Sequence, residues 1–124
     1  MRLLEHLGLL SDRAERLAQR LSLDQIYDVV ESASRSFEDG NVERSYVLFN
    51  AAIDVMARST DVSSLDKRFP ILGYVKVGSD ISEYVIARDY GFDGSEMRDT
   101  LTKEIRSLRY GHERALSWIP RTVR

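Results

Sequence analysis

Residues 23–56 read LDQIYDVVESASRSFEDGNVERSYVLFNAAIDVM, and two apolar series within them decide the fold. Leu23, Ile26, Val30, Ala33 and Phe37 recur at alternating steps of three and four, which lines them along one face of a helix. The series stops at Asp39-Gly40, where glycine adopts the left-handed helix-ending conformation at little cost. Asn41 is then placed to cap a following helix, in which Val42, Tyr46, Phe49, Ile53 and Met56 repeat the rhythm and Leu48, Ala52 and Val55 widen the stripe. The pattern predicts a tight helical hairpin with Tyr46, Phe49 and Ile53 buried against Ile26, Val30 and Phe37. Its opening is marked by Ser22 and Gln25, whose spacing allows a reciprocal capping box.

Upstream, Ser11 precedes a segment with Leu17, Ala18 and Leu21 on one side, which predicts a helix over 11–21. The first ten residues, MRLLEHLGLL, have the outline of a signal peptide. Glu5 and His6 interrupt the apolar run, however, and no small-residue cleavage pattern follows, so they read as an N-terminal packing segment.

Downstream, the polar run Thr60-Asp61-Val62-Ser63-Ser64 marks a loop, and a fourth helix is predicted over 65–90, with Pro70 either in its first turns or kinking it. Tyr74, Val77, Ile81 and Tyr84 keep helical spacing there. Gly73 and Gly78 each cost about 1 kcal/mol relative to alanine in a helix interior, which close approach of another helix would explain. After a break at residues 90–94, Asp93 and Glu96 form a capping-box-like start to a last helix over 95–118, which Pro120 follows. Met97, Leu101, Ile105, Leu108, His112, Ala115 and Ile119 trace its apolar stripe, and Trp118 adds an anchor. The expected architecture is all-α, an antiparallel bundle of about five helices in one domain spanning residues 1–124.

The 124 residues suit a single core, and 43% apolar against 31% charged residues with two prolines places the chain among folding sequences. A net charge of −2 gives no general attraction for polyanions, so nucleic acid is not a favoured partner. The absence of cysteine excludes disulfides and thiolate metal sites. Two histidines far apart, His6 and His112, give little support to any other metal site, and neither metal nor cofactor is expected. No run of eighteen apolar residues occurs, so membrane insertion is not expected and the default compartment is the cytoplasm.

Phosphate-cradling glycine loops and nucleophile elbows are missing from the sequence, which leaves a narrow case for catalysis. Arg106 and His112 in RSLRYGH resemble the arginine-and-histidine motif of HEPN ribonucleases, small helical proteins that cleave RNA without metal at a dimer interface. On a straight helix six residues turn through about 600°, leaving the two side chains about 120° apart. They converge only if the helix is distorted near Gly111 or a second subunit contributes. The plainer readings are a hydrogen-bonded histidine in an apolar stripe and a solvated surface arginine.

A wider resemblance covers roughly residues 11–117. The segment 23–56 is similar to the N-terminal helical domain shared by the deubiquitinases ubiquitin isopeptidase Y and AMSH, a variant of the MIT (microtubule interacting and trafficking) fold. The shared pattern is a helix, an acidic-Gly-Asn turn, then Glu, a small residue and an aromatic-aliphatic run, held here by Glu38, Asp39, Gly40, Asn41, Glu43, Ser45, Tyr46, Val47, Leu48 and Phe49. IRSLRYGHERAL is similar to that family's final helix through Leu108, Arg109, Tyr110, Glu113 and Arg114. The hairpin pattern also occurs in ordinary MIT and tetratricopeptide units. Residues 58–80 depart from the family, being rich in Ser, Asp and Gly in place of a shorter lysine-rich link.

The resemblance implies a non-catalytic domain that dimerises or binds the C-terminal helices of ESCRT-III subunits, placing a deubiquitinase, or its regulator, at endosomes. It leaves open whether the chain is a piece of such an enzyme or a stand-alone relative. A homodimer would draw on apolar residues of the fourth helix that the core does not absorb, namely Val75, Val85 and Ile86. A partner helix would dock along the last helix, where Asp99, Lys103, Arg106, Tyr110 and Glu113 follow one another at steps of four and three. A mixed-charge stripe of this kind is also what an ordinary solvated helix face looks like.

Overall fold

A computed structural model describes residues 2–59, 70–92 and 94–119, and among them every regular element is helical. The order is α1 (Leu3–Ala18), a 3-10 turn (Leu23–Gln25), α2 (Ile26–Glu38), α3 (Val42–Ser59), α4 (Leu72–Asp89), α5 (Ser95–Arg106) and α6 (His112–Trp118). Among these residues no helix is long and apolar enough to cross a membrane.

The α2–α3 hairpin forms as its sequence dictates. The Gln25 side chain accepts a bond from the Ser22 N–H at 3.0 Å, so the capping residues start the 3-10 turn that leads directly into α2. At the other end Gly40 takes φ +91°, its N–H bonds Phe37 O, and the Asn41 N–H bonds Ser36 O, a doubly bonded helix ending that uses two otherwise orphaned carbonyls. Asn41 Oδ1 then accepts from the Arg44 N–H at 3.2 Å and caps α3.

Phe49 is fully buried, and Ile26, Val30 and Phe37 belong to the same core. Ile53 is half-buried against that core. Tyr46 faces elsewhere, joining Leu10 of α1 and Ile86 of α4 in a second small cluster, because α1 crosses the hairpin on that side.

The expected boundaries shift at two helices. Ser11 does not start a helix, since α1 runs unbroken from Leu3, so residues 3–10 are its first half and not a separate packing segment. Leu10, Ala14 and Ala18, spaced by four, are its buried edge. Pro70 sits in the turn before α4, which begins at Leu72; the expected start at residue 65 lies outside the described residues.

The helix expected over 95–118 is two helices. The chain turns over Ser107–Gly111, and Gly111 takes φ +70° where a Cβ would come within 2.2 Å of the Tyr74 ring. Leu101, Ile105 and Ala115 of the expected stripe are buried, His112 and Ile119 are half-buried, and Met97 is exposed. Asp93, expected to cap the start of α5, lies outside the described residues, and the residue in the cap position is Gly94, without a side-chain bond.

Helix α4 packs on α3, α5 and α6. Its two glycines admit neighbours: a Cβ on Gly78 would meet the Phe49 ring at 2.5–2.7 Å, and one on Gly73 would meet Leu108 at 3.1 Å. Small polar pairs thread the interior. Ser45 Oγ lies 3.2 Å from Ser82 Oγ, Asn50 Nδ2 donates to Ser79 Oγ at 2.9 Å, and Ser34 shares a hydrogen bond with the Tyr74 hydroxyl. The first two pairs ascend α3 while descending α4, so these helices run antiparallel.

Candidate functional site

The face expected to bind a partner lies on α5 and the turn after it, and α6 holds that turn in place. At seven residues α6 is too short to be stable alone. What fixes it is Arg114, whose Nη1 donates to Glu31 Oε2 at 2.8 Å while its Nε and Nη2 grip both oxygens of Glu38 at 2.8 and 2.7 Å. Glu31 and Glu38 are seven residues apart, hence on one face of α2, and the guanidinium fork spans them.

Those bonds from Arg114 hold both carboxyls below the ordinary glutamate range, and the same bonds raise the Arg114 pKa further. Trp118 adds an indole N–H donated to Glu38 Oε2 at 3.0 Å. Its ring packs on Phe37, Phe49 and Tyr74 at centroid distances of 4.9, 6.0 and 5.7 Å. Burial pushes the Tyr74 hydroxyl up to about 12, against the opposing effect of its Ser34 bond.

On this frame Asp99, Lys103 and Arg106 lie on α5 at steps of four and three, all exposed, and none forms an ion pair among the described residues. Tyr110 and Glu113 are exposed too, but they do not continue the same helical face, because the chain leaves α5 after Arg106 and Glu113 belongs to α6. Tyr110 stands edge-on to Tyr74 at 5.5 Å, so its ring is part structural and 45% exposed. The five-residue stripe is therefore corrected to a three-residue face on α5 beside a pinned aromatic turn.

The residues expected at a dimer surface are placed inside. Val75 is fully buried and Ile86 is 3% exposed, while Val85 is half-buried against the main core. The expectation that the core leaves them free is corrected, because α4 is covered on several sides: α3 and α5 take one part of it, and α1 with Tyr46 of α3 takes Ile86. Arg106 and His112 fall on either side of the Ser107–Gly111 turn, Arg106 exposed and His112 half-buried.

Two features escaped the sequence. Arg114 looked like one charge in a charged run, and only the matched pair Glu31 and Glu38 on α2 hinted at a fork-shaped partner. The acidic cleft between α4 and α5, lined by Asp80, Glu83 and Tyr84, had no local signal. Comparison of the chain with protein-family models, with curated proteins and with solved structures finds no match.

Proposed function

We propose that the chain is a non-catalytic protein-interaction domain whose α5 face receives an amphipathic partner helix. The observation that carries this is the row Asp99, Lys103 and Arg106, exposed and without ion pairs among the described residues, followed by the exposed ring of Tyr110 in the turn after α5. Over about two turns of helix this gives charges to set the register of a ligand helix and one aromatic contact at the end of the row to retain it. The resemblance in residues 23–56 and 105–116 names the partner class: C-terminal helices of ESCRT-III subunits, with the chain tied to a deubiquitinase or its regulator at endosomes and acting as a homodimer.

Titration with ESCRT-III C-terminal peptides, followed by amide NMR, tests the proposal. Shifts centred on residues 99–110 are expected, and the charge reversals Lys103→Glu and Arg106→Glu, both at exposed positions, should weaken binding without unfolding the chain. No binding at about millimolar peptide, or shifts confined to other helices, refutes it.

One observation favours a second reading. The helix does break at Gly111, between Arg106 and His112, which removes the straight-helix geometry that would keep them apart. Metal-independent RNA cleavage that disappears in both Arg106→Ala and His112→Ala would support that reading over the first.

A further inference from the structure

Helices α4 and α5 meet at a cleft of about 200 Å³ with three unusual properties. The first is its charge. Asp80 and Glu83 line it, Glu104 of α5 lies close enough to act on Asp80, and neither Asp80 nor Glu83 has an ion-pair partner among the described residues. Desolvation, then Glu104 and Glu83, push the Asp80 carboxyl up to about 6 against the weaker pull of Lys76, although much of the residue is exposed.

The second is an orphan. Tyr84 is 4% exposed and lines the cleft, and its hydroxyl is the one buried side-chain polar atom among the described residues with no hydrogen-bond partner. Gly94 forms the adjoining wall, where a Cβ would lie 1.8 Å from Tyr84 Cε1 and 2.9 Å from Cζ, so only a glycine admits the ring at this position beside the cleft. The third is the mouth, where Phe92 and Met97 are 59% and 46% exposed. Arg88 lies over the Tyr84 ring at 5.8 Å, an example within the chain of a guanidinium using this aromatic surface.

We propose that this cleft takes one arginine side chain from an apolar segment of a partner protein, with the guanidinium between Asp80 and Glu83 and donating to the Tyr84 hydroxyl, and the flanking apolar residues on Phe92 and Met97. A guanidinium suits the site because it is donor-only, planar and weakly hydrated, so it can satisfy two carboxylates and an accepting phenol oxygen at once. The cleft is smaller than the roughly 300–1,000 Å³ of small-molecule sites and matches a single inserted side chain. The exposed Phe92 and Met97 argue for a chain on either side of that arginine and against a free amino acid. The inference rests on the reading of the chain as an interaction domain, but it uses a surface separate from the row Asp99, Lys103 and Arg106.

The test is an amide NMR titration of the whole chain with acetyl-Leu-Arg-Leu-amide, its citrulline counterpart and argininamide. Saturable shifts at Phe92, Gly94 and Met97 are expected with the arginine peptide, with affinity about fivefold or more lower for citrulline, which keeps the shape without the charge. Argininamide should bind more weakly than the peptide. Tyr84→Phe, which removes only an unpartnered oxygen and keeps the fold, should weaken the peptide about two- to fivefold, and Asp80→Asn with Glu83→Gln should weaken it further. Equal binding of arginine and citrulline peptides, argininamide matching the peptide, an unchanged affinity in Tyr84→Phe, or no shifts at about 10 mM peptide would each overturn the proposal. Because no ESCRT-III sequence is used, its failure leaves the α5 proposal standing, and failure of the α5 proposal leaves this one standing.

Discussion

Replacing Arg114 with alanine should release α6 from α2 before it harms the rest of the fold. The side chain makes four contacts of 2.7–3.3 Å to two carboxylates. Fully desolvated bonds of this type contribute about 1.5–3 kcal/mol each, but Arg114, Glu31 and Glu38 keep 34%, 45% and 37% of their side-chain surface exposed. Solvent screening reduces each carboxylate pairing to about 0.5–1 kcal/mol, and the expected loss is about 1–2 kcal/mol in total.

Both glutamates are held below their ordinary range in the folded state, so their contribution is present above the unfolded pKa of about 4.5 and is lost as pH falls through the folded values. Urea unfolding monitored by Trp118, the single tryptophan, should therefore show the full gap between variant and parent at pH 7 and little gap near pH 3. Arg114→Lys, which keeps the charge and loses the fork, should fall between. A gap below about 0.3 kcal/mol, or one of equal size at both pH values, refutes the assignment of α6 docking to this ion cluster.

Other perturbations probe the core and the cleft. Gly78→Ala gains about 1 kcal/mol of helix propensity but drives a methyl group into the buried Phe49 ring, so a net loss of about 1–2 kcal/mol is expected in thermal unfolding; a variant as stable as the parent contradicts the packing. Phe49→Ala, at a fully buried position, should cost about 3–5 kcal/mol by urea titration. Asp80 has a raised folded pKa of about 6 against 3.8, so the stability linked to its protonated form is present below about pH 4 and lost as pH rises through 6. Asp80→Asn should accordingly stabilise the chain above pH 6, by about 1 kcal/mol once exposure is allowed for, and leave it unchanged at pH 4.

Local chemistry made the hairpin legible: Gly40, Asn41, Ser22 and Gln25 each act on backbone groups within a few residues, and the structure uses all four. The glycines of α4 were legible as sites of close approach, though nothing local named Phe49 and Leu108 as the neighbours. Misreadings arose where partners come from far along the chain. Ser11 looks like a cap, but Leu10, Ala14 and Ala18 are held by α3 and α4, which carry the helix through it. Leu101, Ile105, Leu108 and His112 keep helical spacing across a turn because a chain can reverse and still bury successive apolar residues, and Gly111 is the sole local mark of the break. Val75 and Ile86 seemed surplus because a helix covered by several neighbours has more than one inward side. The α5 row survives as a surface, while the acidic cleft depends on residues from 80 to 97 that only the fold assembles.

The small polar pairs between α3 and α4 decide more than their energies. Apolar side chains tolerate sliding, since dispersion and burial are not directional. Ser45 with Ser82 and Asn50 with Ser79 are not so permissive. Slipping α3 by one turn, about 5.4 Å along α4, sets Ser45 opposite Ile86 in one direction and Asn50 opposite Val75 in the other. Each slip breaks both pairs; Ser82 and Asn50 keep their bonds to Gly78 O and Tyr46 O, but the buried Ser45 hydroxyl loses its partner at a cost of about 1–3 kcal/mol, a sizeable share of the 5–15 kcal/mol that typically separates folded from unfolded chains. The polar row thus works as a key between the two longest antiparallel neighbours, admitting one alignment during folding and leaving the misaligned bundles too unstable to accumulate.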